Sequence, residues 1–226
     1  WEHPRRGMLE PDAFIPWAEE SRLIVAIDRY VLREACIWAK RWSGARPSGQ
    51  PLVVSVNLSP RFIRQTDVVS EVTRVLQETQ VDPRCIQIEL TERSALTDLD
   101  STCAQLHQIR ALGVRVAVDD FGTGYSSLSY LKQLPIDVLK LDRSLLDAID
   151  AVDVPASDVA IVQAVVTMGH ALGVKVTAEG VERPEQAKRL RELGCDSAMG
   201  WLWAKALPPE ELGPRAAAGF DVGTGE

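Results

Sequence analysis

An α/β chain built on parallel strands is predicted from three features of the sequence. From residue 51 onward, short apolar runs alternate with helical stretches. Three of the helical stretches close on Leu-Gly directly before the next run (Leu112-Gly113, Leu172-Gly173 and Leu193-Gly194), as glycine-capped helices with short connections do. Nearly every run ends on a polar side chain: Asn57, Glu89, Asp119 with Asp120, Lys140 with Asp142, and Glu179. Strands alternating with helices imply parallel pairing, because a parallel neighbour needs a long crossover.

The elements follow in order. The opening "WEHPRRGMLEPDAF" holds no run that could serve as a first strand, and position 1 is Trp, so the sequence reads as cut from something longer. Residues 14–42 place Ile24, Ile27, Val31, Ala35, Trp38 and Trp42 at steps of three and four, which predicts an amphipathic helix with the two tryptophans as packing residues. The predicted strands are "LVVSVNLS", "CIQIELTE", "VRVAVDD", "DVLKLD", "VKVTAEG" and, less sharply, "SAMGWLWA". Between them lie "DVVSEVTRVLQET", "DLDSTCAQLHQIRALG", "SSLSYLKQL", "PASDVAIVQAVVTMGHALG" and "RPEQAKRLRELG" as helices. Such apolar runs imply strands covered on both faces. The domain is expected to span 1–212, with 213–226 a small, polar, flexible tail.

Both an open doubly wound sheet and a closed (β/α)8 barrel fit this rhythm. In a barrel, reacting groups come from the C-terminal ends of many strands and converge on one mouth, whereas an open sheet concentrates them at one or two crevices. The spread of polar strand ends favours the barrel. Six strands are counted where eight are needed, so the first one or two are expected to be missing. Unpaired edges are then expected at the strand of Asn57 and at the last strand, to be swapped, aggregated or completed by chain absent here.

Composition narrows the chemistry. A formal charge of −7 over 226 residues, with basic residues spread along helices, argues against DNA or RNA as a partner. The sequence carries four scattered cysteines without a CxxC pair and three histidines, which suggests neither a zinc cage nor a disulfide framework. Core thiols in a reducing cytoplasm are expected. No stretch long enough to span a bilayer is free of charge.

The strand-end set Asn57, Glu89, Asp119, Asp120 and Glu179 consists of oxygen donors. Four carboxylates gathered at one rim repel, and a divalent cation removes the conflict. Oxygen ligands without Cys or His select a hard ion, Mg²⁺ or Mn²⁺, and adjacent aspartates suit a two-metal centre with ions roughly 3.5 to 4 Å apart. Lys140, the cation of the set, is placed to hold a water nucleophile or stabilise charge on a phosphate oxygen. A phosphate ester is the natural substrate class. Gly122 and Gly124 let the chain turn away behind the aspartates, and Ser126 or Ser127 can cap the helix that follows. "DFG" lacks a kinase catalytic loop upstream, and "GTGYSS" lacks the third glycine of a dinucleotide fingerprint.

The segments "FIPWAEES", "SVNLS", "IELTE", "AVDDFGTGYSSLSYLKQLPIDVLKLDRS", "AEGVE" and "LGCDSAMGWLWAKALP" together resemble the EAL domain of bacterial cyclic di-GMP signalling over nearly the whole chain. The resemblance implies a modified (β/α)8 TIM-like barrel with one antiparallel strand, and hydrolysis of cyclic di-GMP to linear pGpG with Mg²⁺ or Mn²⁺. It implies Asn57, Glu89 and Asp119 at one metal, Asp119, Asp120 and Glu179 around the other, and Lys140 at the attacking water. It further implies Glu92 as a support for the loop Asp120 to Ser127, Asp142 as an acidic position near the centre, and a homodimer through the loop and helix after Asp120. An upstream sensor or GGDEF domain is expected in the parent protein, a membrane anchor being left open.

Two departures shape the expected activity. The name-giving Glu-Ala-Leu, expected just before Trp1, is not in this chain, so the chain as given is expected to be weak or inactive. Met199 stands where competent relatives usually carry Gln in a Gln-Gly-Tyr segment. That motivates the alternative of a catalytically inactive cyclic di-GMP receptor; an interaction module using the loop and helix around Tyr125 to Leu131 without ligand is a third reading.

Overall fold

The computed structural model describes residues 1–43, 52–96, 98–122, 128–146, 149 and 156–218. The chain opens on a small antiparallel hairpin, β1 (Glu2–His3) with β2 (Gly7–Met8). Sequence reading expects no strand there. Pairs this short leave no periodic signal, and the turn is held by local bonds, with His3 Nδ1 accepting from the backbone of Arg5 and Arg6 at 3.1 and 3.2 Å. The hairpin stands apart from the main sheet.

Two helices follow, α1 (Ile15–Glu20) and α2 (Ile24–Trp42), separated at Arg22, whose φ of 66° lies in the left-handed region. The buried stripe of α2 is Ile24, Asp28, Leu32, Cys36 and Ala39. This shifts the expected face: of its members Ile24 is buried and Ala35 packs half-buried against the core, while Val31 is 40% exposed. The stripe is disguised by Asp28, which is buried because its carboxylate accepts from Ser59 N at 3.3 Å and from Ser59 Oγ. Ser59 in turn accepts from Phe62 N at 3.1 Å, capping α3 (Pro60–Gln65). The bond therefore fixes the turn just after the first strand of the sheet. Trp38 and Trp42 pack on each other with centroids 5.7 Å apart, half-buried as packing residues should be.

The main sheet runs β3 (Val54–Asn57), β4 (Ile86–Thr91), β5 (Arg115–Phe121), β6 (Val138–Leu141), β7 (Lys175–Ala178) and β8 (Ser197–Ala198) in sequence order, every pairing parallel. Between strands lie α4 (Val68–Thr79), α5 (Glu92–Leu96), α6 (Leu99–Ala111), α7 (Leu128–Leu131), α8 (Ala156–Ala171) and α9 (Pro184–Glu192). The architecture is thus α/β, a curled parallel half-barrel of six strands, with β3 and β8 at its two ends as anticipated. The glycines closing α6, α8 and α9 have φ of 95°, 75° and 82° at Gly113, Gly173 and Gly194, the left-handed caps read from the sequence.

One face of the sheet is apolar and covered by helices. Val56, Ile88, Val118 and Leu139 pack with Leu32, Val75, Leu106 and Ile109 in one cluster, and Leu141, Val176 and Ala178 pack with Val162, Val166 and Leu190 in a second. Period-two alternation sends the intervening residues to the concave face. That face is polar, where the sequence reading expected apolar runs covered on both faces: Gln87, Glu89, Asp119 and Lys140 are buried on it, while Ser55, Asn57 and Ser197 are exposed toward its ends.

After β8 the backbone of Gly200 lies against Val181. Val181 N donates to Met199 O and Leu202 N donates to Val181 O, both at 3.0 Å, so the two segments are zipped on either side of the glycine. A Cβ on Gly200 would stand 2.2 Å from Val181 O, and its φ is 154°. The final helix, α10 (Pro209–Ala218), reaches into the stretch read as a tail and seats Gly213 against the indole of Trp42. Residues 219–226 lie outside the described residues. No helix among the described residues is long and apolar enough to cross a membrane.

Two stability predictions follow from these contacts. Gly200→Ala should lose about 2 kcal/mol or more in denaturant unfolding, because the clash is with backbone rather than a movable side chain; unchanged stability would contradict the zipped geometry. Burial pushes the Asp28 carboxyl above its usual range despite the opposing Ser59 bonds. The folded state then holds a proton that the unfolded state releases, so stability falls as pH rises above about 4, the unfolded carboxyl value. Asp28→Asn should therefore gain on the wild type between pH 4 and pH 7 in thermal unfolding, and a pH-independent difference would count against that burial cost.

Candidate active site

Each strand delivers its polar residue by register. Asn57 pairs with Glu89 across β3 and β4, Thr91 with Asp119 across β4 and β5, and Lys140 with Thr177 across β6 and β7. In a parallel sheet paired residues share a face, so these side chains gather at the C-terminal end of the concave surface. Glu179 follows one residue after β7, its N–H donating to Leu141 O at 3.1 Å.

The adjacent aspartates are handled by a β-bulge. Val118 pairs with Leu139 and Phe121 with Leu141, which leaves both Asp119 and Asp120 opposite Lys140. The extra residue is taken up at Asp120, whose φ of 56° is left-handed, and its N–H donates to Asp119 Oδ1 at 2.9 Å. In an unbroken strand the two carboxylates would face opposite sides. Here Asp119 is buried in the site and Asp120 sits exposed beside it, feeling the charges of Asp119, Asp142, Lys140 and Glu89.

At the centre stands Lys140, 3% exposed. Its Nζ donates to Glu89 Oε2, to Asp119 Oδ2 at 3.0 Å, and pairs with Glu179 Oε1. Burial alone would depress the ammonium's pKa, but Glu89 and Glu179 more than reverse this, and the group is held above the usual lysine range. Two of the acids are shifted upward: burial raises the Glu179 carboxyl, with Lys140 only partly offsetting it, and at the surface-facing Asp120 desolvation by its neighbours leads, followed by the charges of Asp119 and Asp142.

The donor set fits a hard divalent cation. Among the described residues, ligand oxygens of Glu89, Asp119 and Glu179 lie within 4.8 Å of one another. All are carboxylate oxygens, and four acids, counting Asp120, face one ammonium. Asn57 adds an amide on the face of Glu89, its register partner.

The remaining expected residues stand outside this group. Glu92, buried at the start of α5, accepts a hydrogen bond from Tyr130 of α7 and so ties the end of β4 to that helix. Asp142 caps the turn Arg143–Leu145, accepting from Ser144 N at 2.9 Å. Met199 follows the Ala178–Ala198 pair at the mouth, 43% exposed, with its N–H donating to Ala178 O at 2.8 Å. Gly122 has a φ of 102°, as a chain turning away requires. Gly124, Tyr125, Ser126 and Ser127, where helix capping and part of the dimer contact were expected, lie outside the described residues.

One functional contact escaped sequence reading. Gln87 Nε2 donates to Glu89 Oε1 at 3.0 Å and to Ser55 Oγ at 3.1 Å, which orients the Glu89 carboxylate so that its other oxygen meets Lys140. The signal was present in "IQIELT", where Gln87 shares the alternation of Glu89 and Thr91 against Ile86, Ile88 and Leu90.

Comparison with known proteins agrees with this geometry. The family model described as the EAL domain matches residues 1–206. The bifunctional diguanylate cyclase/cyclic di-GMP phosphodiesterase MucR of Pseudomonas aeruginosa is 40% identical over 213 residues, covering 94% of this chain; the chain spans 30% of that relative's length. The solved PaMucR phosphodiesterase in complex with c-di-GMP superposes with a TM-score of 0.86 at 39% identity, covering 94% of this chain and 84% of that one. A manganese and cyclic di-GMP complex of Klebsiella pneumoniae BlrP1 gives a TM-score of 0.73 at 30% identity, over 88% of this chain and 48% of that one. With its half-barrel, its strand-end carboxylates and this match over most of its length, the chain belongs to the EAL domain family.

Proposed function

We propose that the domain hydrolyses cyclic di-GMP to linear pGpG with the aid of Mg²⁺ or Mn²⁺. The observation that carries this reading is the buried Lys140 ammonium gripped by three carboxylates at the strand ends. Support comes from the phosphodiesterase relatives and from the cyclic di-GMP complexes of similar folds.

Glu89, Asp119 and Glu179, whose oxygens lie within 4.8 Å of one another, would hold one cation, with Asn57 beside Glu89 and Asp120 reaching a second from the exposed side of the bulge; this moves Glu179 from the second ion, where the resemblance implies it, to the first. Such ions supply Lewis acidity and charge neutralisation at the phosphodiester. In the hydrolysis, a water oxygen bonds to phosphorus, one bridging P–O ester bond breaks, and a proton given up by the water is balanced by the one taken up by the released hydroxyl oxygen. Lys140, held protonated, acts as a hydrogen-bond donor rather than a base, orienting the water or stabilising charge that develops on a phosphate oxygen. Gln87 keeps Glu89 in one orientation, and Glu92 steadies the loop that carries the chain away from Asp120. Homodimerisation through that loop and its helix, and an upstream sensor or GGDEF domain in the parent, belong to the same proposal.

Met199 favours a second reading. Its exposed thioether at the mouth makes only weak hydrogen bonds where an amide would donate and accept, so a domain that binds cyclic di-GMP without cleaving it is the competing function.

In the parent protein with Mn²⁺, Asp119→Asn should lower pGpG formation by about 100-fold or more, in the range for losing one preorganised electrostatic group. Circular dichroism should show the fold intact; undiminished turnover would remove Asp119 from its role. Calorimetric binding of cyclic di-GMP with no product over long incubation would select the receptor reading, and Met199→Gln should then raise turnover from that floor.

A further inference from the structure

The carboxylates assigned to a divalent ion are already occupied by a cation belonging to the chain. An ammonium has three N–H donors, and Lys140 directs them at Glu89 Oε2, Asp119 Oδ2 and Glu179 Oε1, which saturates it. The other oxygen of Glu89 receives the Gln87 amide at 3.0 Å. Both oxygens of Glu89 are therefore already engaged, and an incoming ion must share them with the lysine or with the amide. Oxygens of the three carboxylates lie within 4.8 Å of one another and each carboxylate also contacts Nζ, so a dication shared by the three would lie close to the ammonium. Two cations at such range repel strongly in a site this dry.

We infer that Lys140 is an internal counter-ion that competes with the divalent cation for one set of oxygens, so that metal loading obliges the ammonium to release at least one carboxylate. This rests on the reading of Glu89, Asp119 and Glu179 as metal ligands. The lysine offsets part of the cluster's negative charge before loading, because Glu89 and Asp119, both buried, and the half-buried Glu179 repel one another without a cation. It also lowers the apparent metal affinity by the strength of the bonds it must give up. Once displaced, the ammonium is freed at the mouth, where a phosphate would be received. One residue thereby links metal occupancy to the positive charge presented to an anionic substrate.

The test is Mn²⁺ alone, titrated into the full-length protein and followed by calorimetry and by the electron paramagnetic resonance of the free ion. Lys140→Met keeps the apolar stem and removes the charge. It should bind Mn²⁺ about tenfold more tightly, or more, which corresponds to about 1.4 kcal/mol. Its midpoint of thermal unfolding should fall without metal and recover disproportionately with it. Lys140→Arg, which keeps a competing cation, should not show the gain. Should Lys140→Met fail to fold, the same comparison is made between Glu179→Gln and the double variant Glu179→Gln with Lys140→Met, where one negative charge has been removed from the cluster. Equal or weaker Mn²⁺ binding on removal of the lysine overturns the competition alone. Absence of Mn²⁺ binding in every protein, the wild type included, overturns the metal-site reading along with it.

Discussion

A buried ammonium held by three carboxylates is the constraint to which the concave face of this protein answers. Removing one partner of such a buried charge pair typically costs about 3–5 kcal/mol, since the charge left behind has neither water nor a counter-ion. Lys140, Glu89, Asp119 and Glu179 come from four successive segments of the sheet, so their grouping requires strand order, register and strand ends to be right together. The parallel pairing supplies the order and the alternation supplies the face. The bulge at Asp119 and Asp120 supplies what regular pleating cannot, two neighbouring carboxylates directed toward one place.

The rest of the chain supports that arrangement from behind. Helices cover the apolar face, and the Asp28–Ser59 bond anchors α2 to the turn that follows Asn57. At the other end, Gly200 allows the segment that follows β8, with Met199, to zip onto Val181, two residues beyond Glu179. Between these anchors the polar residues satisfy one another, Gln87 with Glu89 and Ser55, and Thr177 with Ser197 at 2.7 Å. Polar layers of this kind remain buried only where each member finds its partner.

Much of this was legible in the sequence because its rhythm carries it. Short apolar runs alternating with helical stretches marked the strands, and the polar residue closing each run marked the candidate ligands. Leu-Gly pairs marked three helix ends. What escaped has a physical reason in each case. The buried face of α2 was hidden because Asp28 interrupts its apolar stripe and is made acceptable only by Ser59, a residue distant in sequence. The two-residue strands of the hairpin are too short for any period to register. The bulge cannot be read from two aspartates in a row, since it is defined by the partner strand. Gln87 was passed over among more reactive neighbours, although its alternation with Glu89 was visible. Glu92 and Asp142, singled out by family resemblance, lie outside the central group, one tied to Tyr130 and the other capping a turn.

The central claim is that Glu89, Asp119 and Glu179 form a metal centre at which Lys140 is the resident cation. Anomalous diffraction from crystals of the protein grown with Mn²⁺ tests it most directly. The account predicts a manganese peak coordinated by these three carboxylates, with Lys140 Nζ withdrawn from at least one of them. A fully occupied lysine cluster with no manganese beside it, or manganese bound only elsewhere on the molecule, would contradict it.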